Sequence, residues 1–385
     1  MFFVVSLLAT VGFSLVLYYW AIDTFPALAC RKRLVAFALA ALVVGAPPVA
    51  RVAAIFWHVG GAISSIVLIV VATLALAAIP IGAMHAAFWA AYRRSNLRGR
   101  VEPALVQGMT RRQLVEAAGG GVFLGTAGSV LAWGAVRGRH AFELREVAVR
   151  IGGLPRALDG YVIAQISDIH AGTYVAEREL REGLDRVREA RADLVVVTGD
   201  MVDLDKRFGP LVARMLADLA PRDGVTAVLG NHDYYTGADS VAGSLRDAGI
   251  DVLVDAGKVI RPNDGGGFAL LGVDDLRATS HGRPGPRLDR ALSMVPGGIA
   301  RVLLSHQPQT VERWPGRVAL QLSGHTHGGQ INPGFRPAAL FLEYIAGRYL
   351  VGGTTLYVNS GFGTVGPPSR VGAPPEVSRI VLVSA

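Results

Sequence analysis

Residues 322–331 read LSGHTHGGQI and follow directly on the apolar run VALQL at 318–322. A short β-branched and leucine-rich run of this kind has the length of a buried strand, and it stops at a loop that presents two histidines one residue apart between glycines. If the His325-Thr326-His327 segment is extended, alternate side chains point to opposite sides and can serve two different ions. The question is whether other strands end in the same way.

They do. YVIAQIS, DLVVVTG, VTAVLG, FALLGV, RVLLSH, VALQLSG, TLYVNSG and RIVLVS all read as short buried strands, and AERELREGLDRVREA and LVARMLADL between the first three read as amphipathic helices. The expected fold from about residue 145 is therefore α/β. The first strand is followed by Asp168 and His170, the second by Asp200, the third by Asn231, His232 and Asp233, the fifth by His306 and the sixth by His325 and His327. In open α/β sheets, ligands bind outside the carboxyl ends of the strands, so residues spread along the chain can converge there. Glycine beside these positions permits tight turns and close backbone approach. An aspartate after a strand is by itself a common cap or turn former, and a lone histidine there is a common core residue. The recurrence carries the inference: of six histidines after residue 150, only His281 falls outside these termini.

The ordered set D-x-H, G-D, G-N-H-D, a lone His and G-H-x-H resembles the calcineurin-like metallophosphoesterase superfamily over about residues 145–385. The resemblance implies two facing mixed β-sheets flanked by helices and two divalent metal ions at the strand ends. One ion would be held by Asp168, His170 and His327, the other by Asn231, His306 and His325, and Asp200 would bridge them. A carboxylate can span ions about 3.5–4 Å apart, and a hydroxide bridging the ions would attack a phosphoester or pyrophosphate. The resemblance assigns His232 to the substrate phosphate or leaving group, with Asp233 orienting its imidazole. Carboxylate, amide and imidazole donors without thiolate suit manganese, iron, cobalt or zinc, and manganese is the first expectation. The tail GHTHGGQINP with LYVNSGFGTVGPPSRVGAPPEV is similar to the membrane-associated branch, which includes twin-arginine-exported phosphoesterases and enzymes cleaving UDP-diacylglucosamine.

The first 140 residues differ in kind. Hydrophobic residues make up 51% of the chain and the formal net charge is +8, and the fourteen Lys and Arg against five Asp and Glu before residue 151 carry that excess. The rest is nearly neutral, which excludes nucleic acid as a partner, since phosphate backbones demand a clustered positive face. Cys30 is the one cysteine, so no intramolecular disulfide forms. Residues 1–22 contain no charge, and about 20 apolar residues cross a bilayer. A signal peptide is the competing reading of that run, without the basic region that should precede it. Further apolar runs cover 34–50, 63–92 and 117–136, giving about four membrane helices, with Pro80 expected to kink the third.

Arg31, Lys32 and Arg33 after the first run, and Arg93, Arg94, Arg98, Arg100, Arg111 and Arg112 after the third, place those loops in the cytoplasm by the positive-inside rule. The expected product is a multi-pass protein of the cell (inner) membrane with an extracytoplasmic catalytic domain. TRRQLVEAAGGGVFLGTAG reads either as an internal twin-arginine signal or as arginines flanking a helix end. INPGFRPAALFLEYIAGRYL reads either as a segment packed on the core or as an apolar flap touching lipid, the latter pointing to a lipid-linked substrate. The alternative function is a non-catalytic membrane sensor with a vestigial metal site.

Overall fold

A computed structural model describes residues 2–56, 60–96, 105–106, 109–260 and 266–385. The chain divides into two compact units, Met1–Trp133 with Gly366–Pro368, and Gly134–Val365 with Ser369–Ala385.

The first unit is helical. Helix α1 (Phe2–Thr24) is followed by α2 (Lys32–Ala40), which passes through a π-helical turn at Ala41–Gly45 into α3 (Ala46–Phe56). Pro47 and Pro48 cannot donate to the preceding turn, and a widened turn lies where those bonds are lost. Helix α4 (Gly60–Asn96) carries Pro80 without ending there, and α5 (Arg111–Val136) closes the set. Among the described residues, three stretches are long and apolar enough to cross a membrane: Lys32–Ala50, Gly61–Arg94 and Arg111–His140. Leu8–Thr24 is a shorter apolar helix. Arg98 and Arg100, which contribute to the orientation expected from sequence, lie outside the described residues.

Small residues let these helices approach. A Cβ on Gly120 would collide with the Trp20 indole, and one on Gly82 with Val16. The fully buried Glu116 accepts bonds from Thr24 Oγ1 at 2.9 Å and Arg112 Nε at 2.8 Å, and lies 3.0 Å from His85 Nδ1. Arg112 of the arginine pair is thus engaged within the helical unit.

The second unit holds two six-stranded mixed sheets. In chain order the strands are β1 (Glu143–Ile151), β2 (Tyr161–Ile166), β3 (Leu194–Thr198), β4 (Val225–Val228), β5 (Asp251–Val252), β6 (Ala256–Ile260), β7 (Phe268–Gly272), β8 (Arg301–Leu304), β9 (Leu320–Ser323), β10 (Gly347–Val351), β11 (Thr354–Val358) and β12 (Glu376–Ser384). One sheet runs β1-β12-β2-β3-β4-β5, the other β6-β7-β8-β9-β11-β10. Strands β2, β3 and β4 are parallel neighbours, as are β8 and β9, so their carboxyl ends share an edge.

The period-two alternation decides which side chains face which layer. Ile163, Leu194, Val196 and Val228 meet Phe268, Leu270, Val302, Leu304, Leu320 and Leu322 between the sheets. The intervening Ala164, Ile166, Val195 and Val197 pack under helices α6 (Glu177–Glu189), α7 (Gly209–Ala217) and α9 (Ala238–Asp247). Each of the Val, Leu, Ile and Phe side chains contributes about 1.5–3 kcal/mol of burial. Both faces being covered explains why the strands read as continuous apolar runs. Near the carboxyl edge, Gln165 Nε2 ties the sheets together by donating to Thr198 Oγ1 at 3.0 Å and to the Ser323 carbonyl at 2.9 Å.

Candidate metal centre

The residues at the strand ends converge. Asp168, His170 and His327 offer ligand atoms within 4.8 Å of one another, as do Asp200, His306 and His325. His170 Nε2 lies 3.1 Å from His327 Nε2, and His306 Nε2 lies 3.1 Å from His325 Nδ1 and from Asn231 Oδ1. Asp200 Oδ2 stands between the two groups, 3.6 Å from His170 Nε2 and 3.2 Å from His306 Nε2. His170, Asp200 and His232 form a third grouping of the same compactness.

The backbone is bent to achieve this. Asp168, His170, Asp200, His325 and His327 all have positive φ, at 55°, 49°, 55°, 73° and 52°. L-residues visit this region rarely and at a cost of about 1–3 kcal/mol each, and such strain collects at functional sites. The expected extended conformation of 325–327 is therefore corrected: His325 is left-handed and His327 opens a short 3₁₀ turn, His327–Gly329. The histidines still diverge, one toward His306 and the other toward His170. Glycine acts here chiefly by admitting neighbours, since a Cβ on Gly230 would meet Asp200 Oδ1 at 2.2 Å and one on Gly324 would meet Ser167 Oγ at 1.9 Å.

Backbone amides of the loops are satisfied by the same carboxylates that are candidate metal donors, and by Asp233. Asp168 Oδ2 accepts from the His325 amide at 2.8 Å, and Asp200 Oδ1 accepts from the His232 amide at 2.8 Å. Asp233 is fully buried and accepts from the amides of Gly230, Asp200 and Met201, each at 2.9 Å. Its carboxylate therefore shapes the loops and does not orient His232. That imidazole has a different partner: His232 Nδ1 lies 2.9 Å from Asp203 Oδ1. The spacing Asp200-x-x-Asp203 was the only sequence trace of this pair.

Electrostatics follow burial and charge. Burial lowers His170 to about 3, and burial followed by the neighbouring His306 lowers His325 to about 4. Burial and then the Arg370 guanidinium keep His327 well below its usual value. For His306 burial opposes the charge, but the Asp200 carboxylate prevails and raises it well above normal. Burial and the adjacent Asp200 raise Asp233 to about 7. For His232, burial is outweighed by the Asp203 hydrogen bond and the Asp200 charge, so its affinity for a proton rises.

These donors fit metal ions. His306 Nδ1 faces the Thr198 carbonyl at 2.8 Å and donates to it, leaving Nε2 surrounded by Asn231 Oδ1, His325 Nδ1 and Asp200 Oδ2. One proton at Nε2 can serve one of those acceptors, whereas a cation serves all of them. His170 Nδ1 is buried without a partner among the described residues, so this ring is oriented from its Nε2 side. Sequence reading missed Arg370, which is buried behind the site. It donates to the carbonyls of Ser360 at 2.7 Å, Gly363 at 2.9 Å and Ala373 at 3.1 Å, and its Nη2 stands 3.3 Å from His327 Nδ1.

A two-sheet α/β layer fold with carboxylate, amide and imidazole donors gathered at the strand ends defines a metal-site protein of the phosphoesterase type. Residues 161–329 match the family described as calcineurin-like phosphoesterase. The metallophosphoesterase YkuE of Bacillus subtilis is 31% identical over 288 residues, 72% of this chain and 98% of that protein. A transmembrane protein with metallophosphoesterase domain from Danio rerio is 34% identical over 66% of this chain, and the match spans 60% of that longer protein. Among solved structures, the calcineurin-like phosphoesterase YfkN of Bacillus subtilis aligns with a TM-score of 0.38 at 14% identity, over 57% of this chain and 90% of that one. The chain belongs to the calcineurin-like metallophosphoesterase family.

Proposed function

We propose that the protein is a membrane-anchored phosphoester or pyrophosphate hydrolase working with two divalent ions, manganese being the first metal to test. The observation that carries this reading is the convergence of seven donor side chains from five strand ends, five of them on left-handed backbone. Asp168, His170 and His327 would hold one ion, Asn231, His306 and His325 the other, and Asp200 would serve both. When bound, the ions supply a water activated at neutral pH and neutralise charge building on phosphorus. His232, held at Nδ1 by Asp203, turns Nε2 toward the departing oxygen and gives it a proton. Asp233 keeps the two aspartate and asparagine loops in register. An intact His232–Asp203 pair beside the complete donor set favours hydrolysis over a sensor with a vestigial site.

The same reading places the catalytic unit outside the cytoplasm, on the Lys and Arg content of the first and third loops. It also takes a lipid-linked substrate. Phe335, Leu340, Phe341, Leu342 and Leu350 are exposed, while Tyr344 and Ile345 are buried and anchor the segment. Thr326 Oγ1 donates to the Ile345 carbonyl at 2.5 Å, rooting this apolar flap on the loop between His325 and His327. Exposed apolar side chains in such a cluster mark a contact surface, and a chain carrying membrane-crossing helices holds the bilayer within reach.

The test is a screen of the metal-reconstituted full chain on chromogenic mono- and diesters alongside lipid-linked pyrophosphates. Replacing Phe341 and Leu342 with Asp should depress hydrolysis of lipid-linked substrate far more than that of a soluble ester. Equal losses would leave the flap as packing only.

A further inference from the structure

Beyond His232, away from the ligand cluster, lies a group of side chains that the hydrolysis reading does not use. His232 and Tyr235 stand three residues apart on α8 (Asn231–Thr236) and share a helix face, their ring centroids 5.4 Å apart. Tyr235 is 45% exposed, although its neighbour Tyr234 is buried with its hydroxyl on Asp274. The Arg277 guanidinium sits over the Tyr235 ring, 5.9 Å from its centroid. The Tyr235 ring thus neighbours both the His232 imidazole and the Arg277 guanidinium.

Two features set Arg277 apart from an ordinary surface arginine. Its guanidinium has no carboxylate partner among the described residues, whereas the nearby Arg283, over the Tyr234 ring, is neutralised by Asp239 at 2.5 Å. Its backbone is also fixed. The Arg277 amide donates to Asp275 Oδ1 at 2.7 Å, and Asp275 receives both its remaining bonds from Gln307 Nε2 at 3.0 Å, one residue after the ligand His306. His281 Nδ1 closes the turn on the Arg277 carbonyl at 3.1 Å, with its ring against both tyrosines. A positive charge stands over the ring that neighbours the proposed proton donor, on a backbone held by its turn, with its hydrogen-bonding groups left for something else.

We propose that Arg277, seated on Tyr235, forms a subsite for a second anionic phosphate carried by the substrate's leaving group. The proposal rests on the phosphoesterase reading and narrows it to substrates in which the attacked phosphorus is linked to another phosphate. In that reaction water oxygen bonds to phosphorus, the bridging P–O bond breaks, and the leaving phosphate monoester takes the proton from His232. A planar guanidinium suits this group because it makes paired, charge-assisted bonds to phosphate oxygens. An uncharged alcohol or phenol leaving group gains nothing from it.

The experiment compares the full-length, metal-loaded protein on two soluble substrates, bis(p-nitrophenyl) phosphate and the hexyl ester of uridine 5′-diphosphate. Arg277→Ala should lower kcat/KM on the diphosphate ester by about tenfold more than on bis(p-nitrophenyl) phosphate, mainly through KM, as expected for one lost charge-assisted contact. Arg277→Lys should retain part of the preference, because the charge stays. Metal content by elemental analysis should equal that of the wild type in both variants. Equal losses on the two substrates, or a wild type that cleaves the diester and ignores the diphosphate ester, would overturn the subsite and leave the phosphoesterase reading intact. A metal-loaded wild type that cleaves neither would defeat that reading and the subsite with it.

Discussion

His232 Nδ1 is 2.9 Å from Asp203 Oδ1, while the carboxylate of the adjacent Asp233 is committed to four backbone amides. The two aspartates therefore have separate duties. Asp203 fixes the ring and favours its charged form, and Asp233 fixes the loops on which Asp200 and Asn231 stand.

His232→Ala should lower turnover by roughly 10²-fold or more, the usual scale for a lost acid or base, with metal content near wild type. Loss of metal along with activity would instead make His232 a ligand, a role its position beside His170 and Asp200 allows.

The pH dependence should report Asp203. His232 donates only when protonated, so activity falls as pH rises through its pKa, which Asp203 raises. Asp203→Asn removes that support, and the alkaline limb of the kcat profile should move to lower pH. An unmoved limb would detach the pair from the proton transfer.

Metal uptake should release protons. In the metal-free protein, burial opposes a proton on His306 but the Asp200 carboxylate outweighs it and raises its proton affinity well above normal, whereas burial lowers that of His170, His325 and His327. A metal ion must displace the His306 proton, so affinity should fall as pH is lowered. Calorimetric titration in two buffers of different ionisation enthalpy measures the release, and identical heats in both would contradict it.

Arg370 should matter for stability more than its remoteness from substrate implies. Burial lowers its pKa to about 10, and carbonyls of three loop residues depend on it. Arg370→Met leaves those acceptors buried and unpaired, at a cost of about 1–3 kcal/mol for each group. Denaturant unfolding should show a total loss of at least about 3 kcal/mol. A loss below about 1 kcal/mol would mean that water replaces the guanidinium.

Strands with both faces covered were legible because their runs are almost wholly apolar, as in Leu194–Thr198 and in Tyr161–Ile166, where Gln165 is the single amide. The strand Glu143–Ile151 was not, because its first residues are exposed and charged and its pairing partner lies at the far end of the chain. The candidate ligands could be read because each follows a strand. The left-handed backbone at five of them could not, since local preference opposes it and only the surrounding loops impose it. Asp203 and Arg370 were invisible for a related reason: a single aspartate or arginine acquires its role from partners 29 and 43 positions away.

The central claim is that two ions share Asp200, and the direct measurement is metal stoichiometry with activity in the same preparations. The manganese-reconstituted wild-type chain should contain two ions per molecule and cleave bis(p-nitrophenyl) phosphate. Asp200→Asn should lose metal from both positions and activity with it, because its Oδ2 lies between His170 and His306. Two tightly bound ions and full activity in Asp200→Asn would contradict the shared centre.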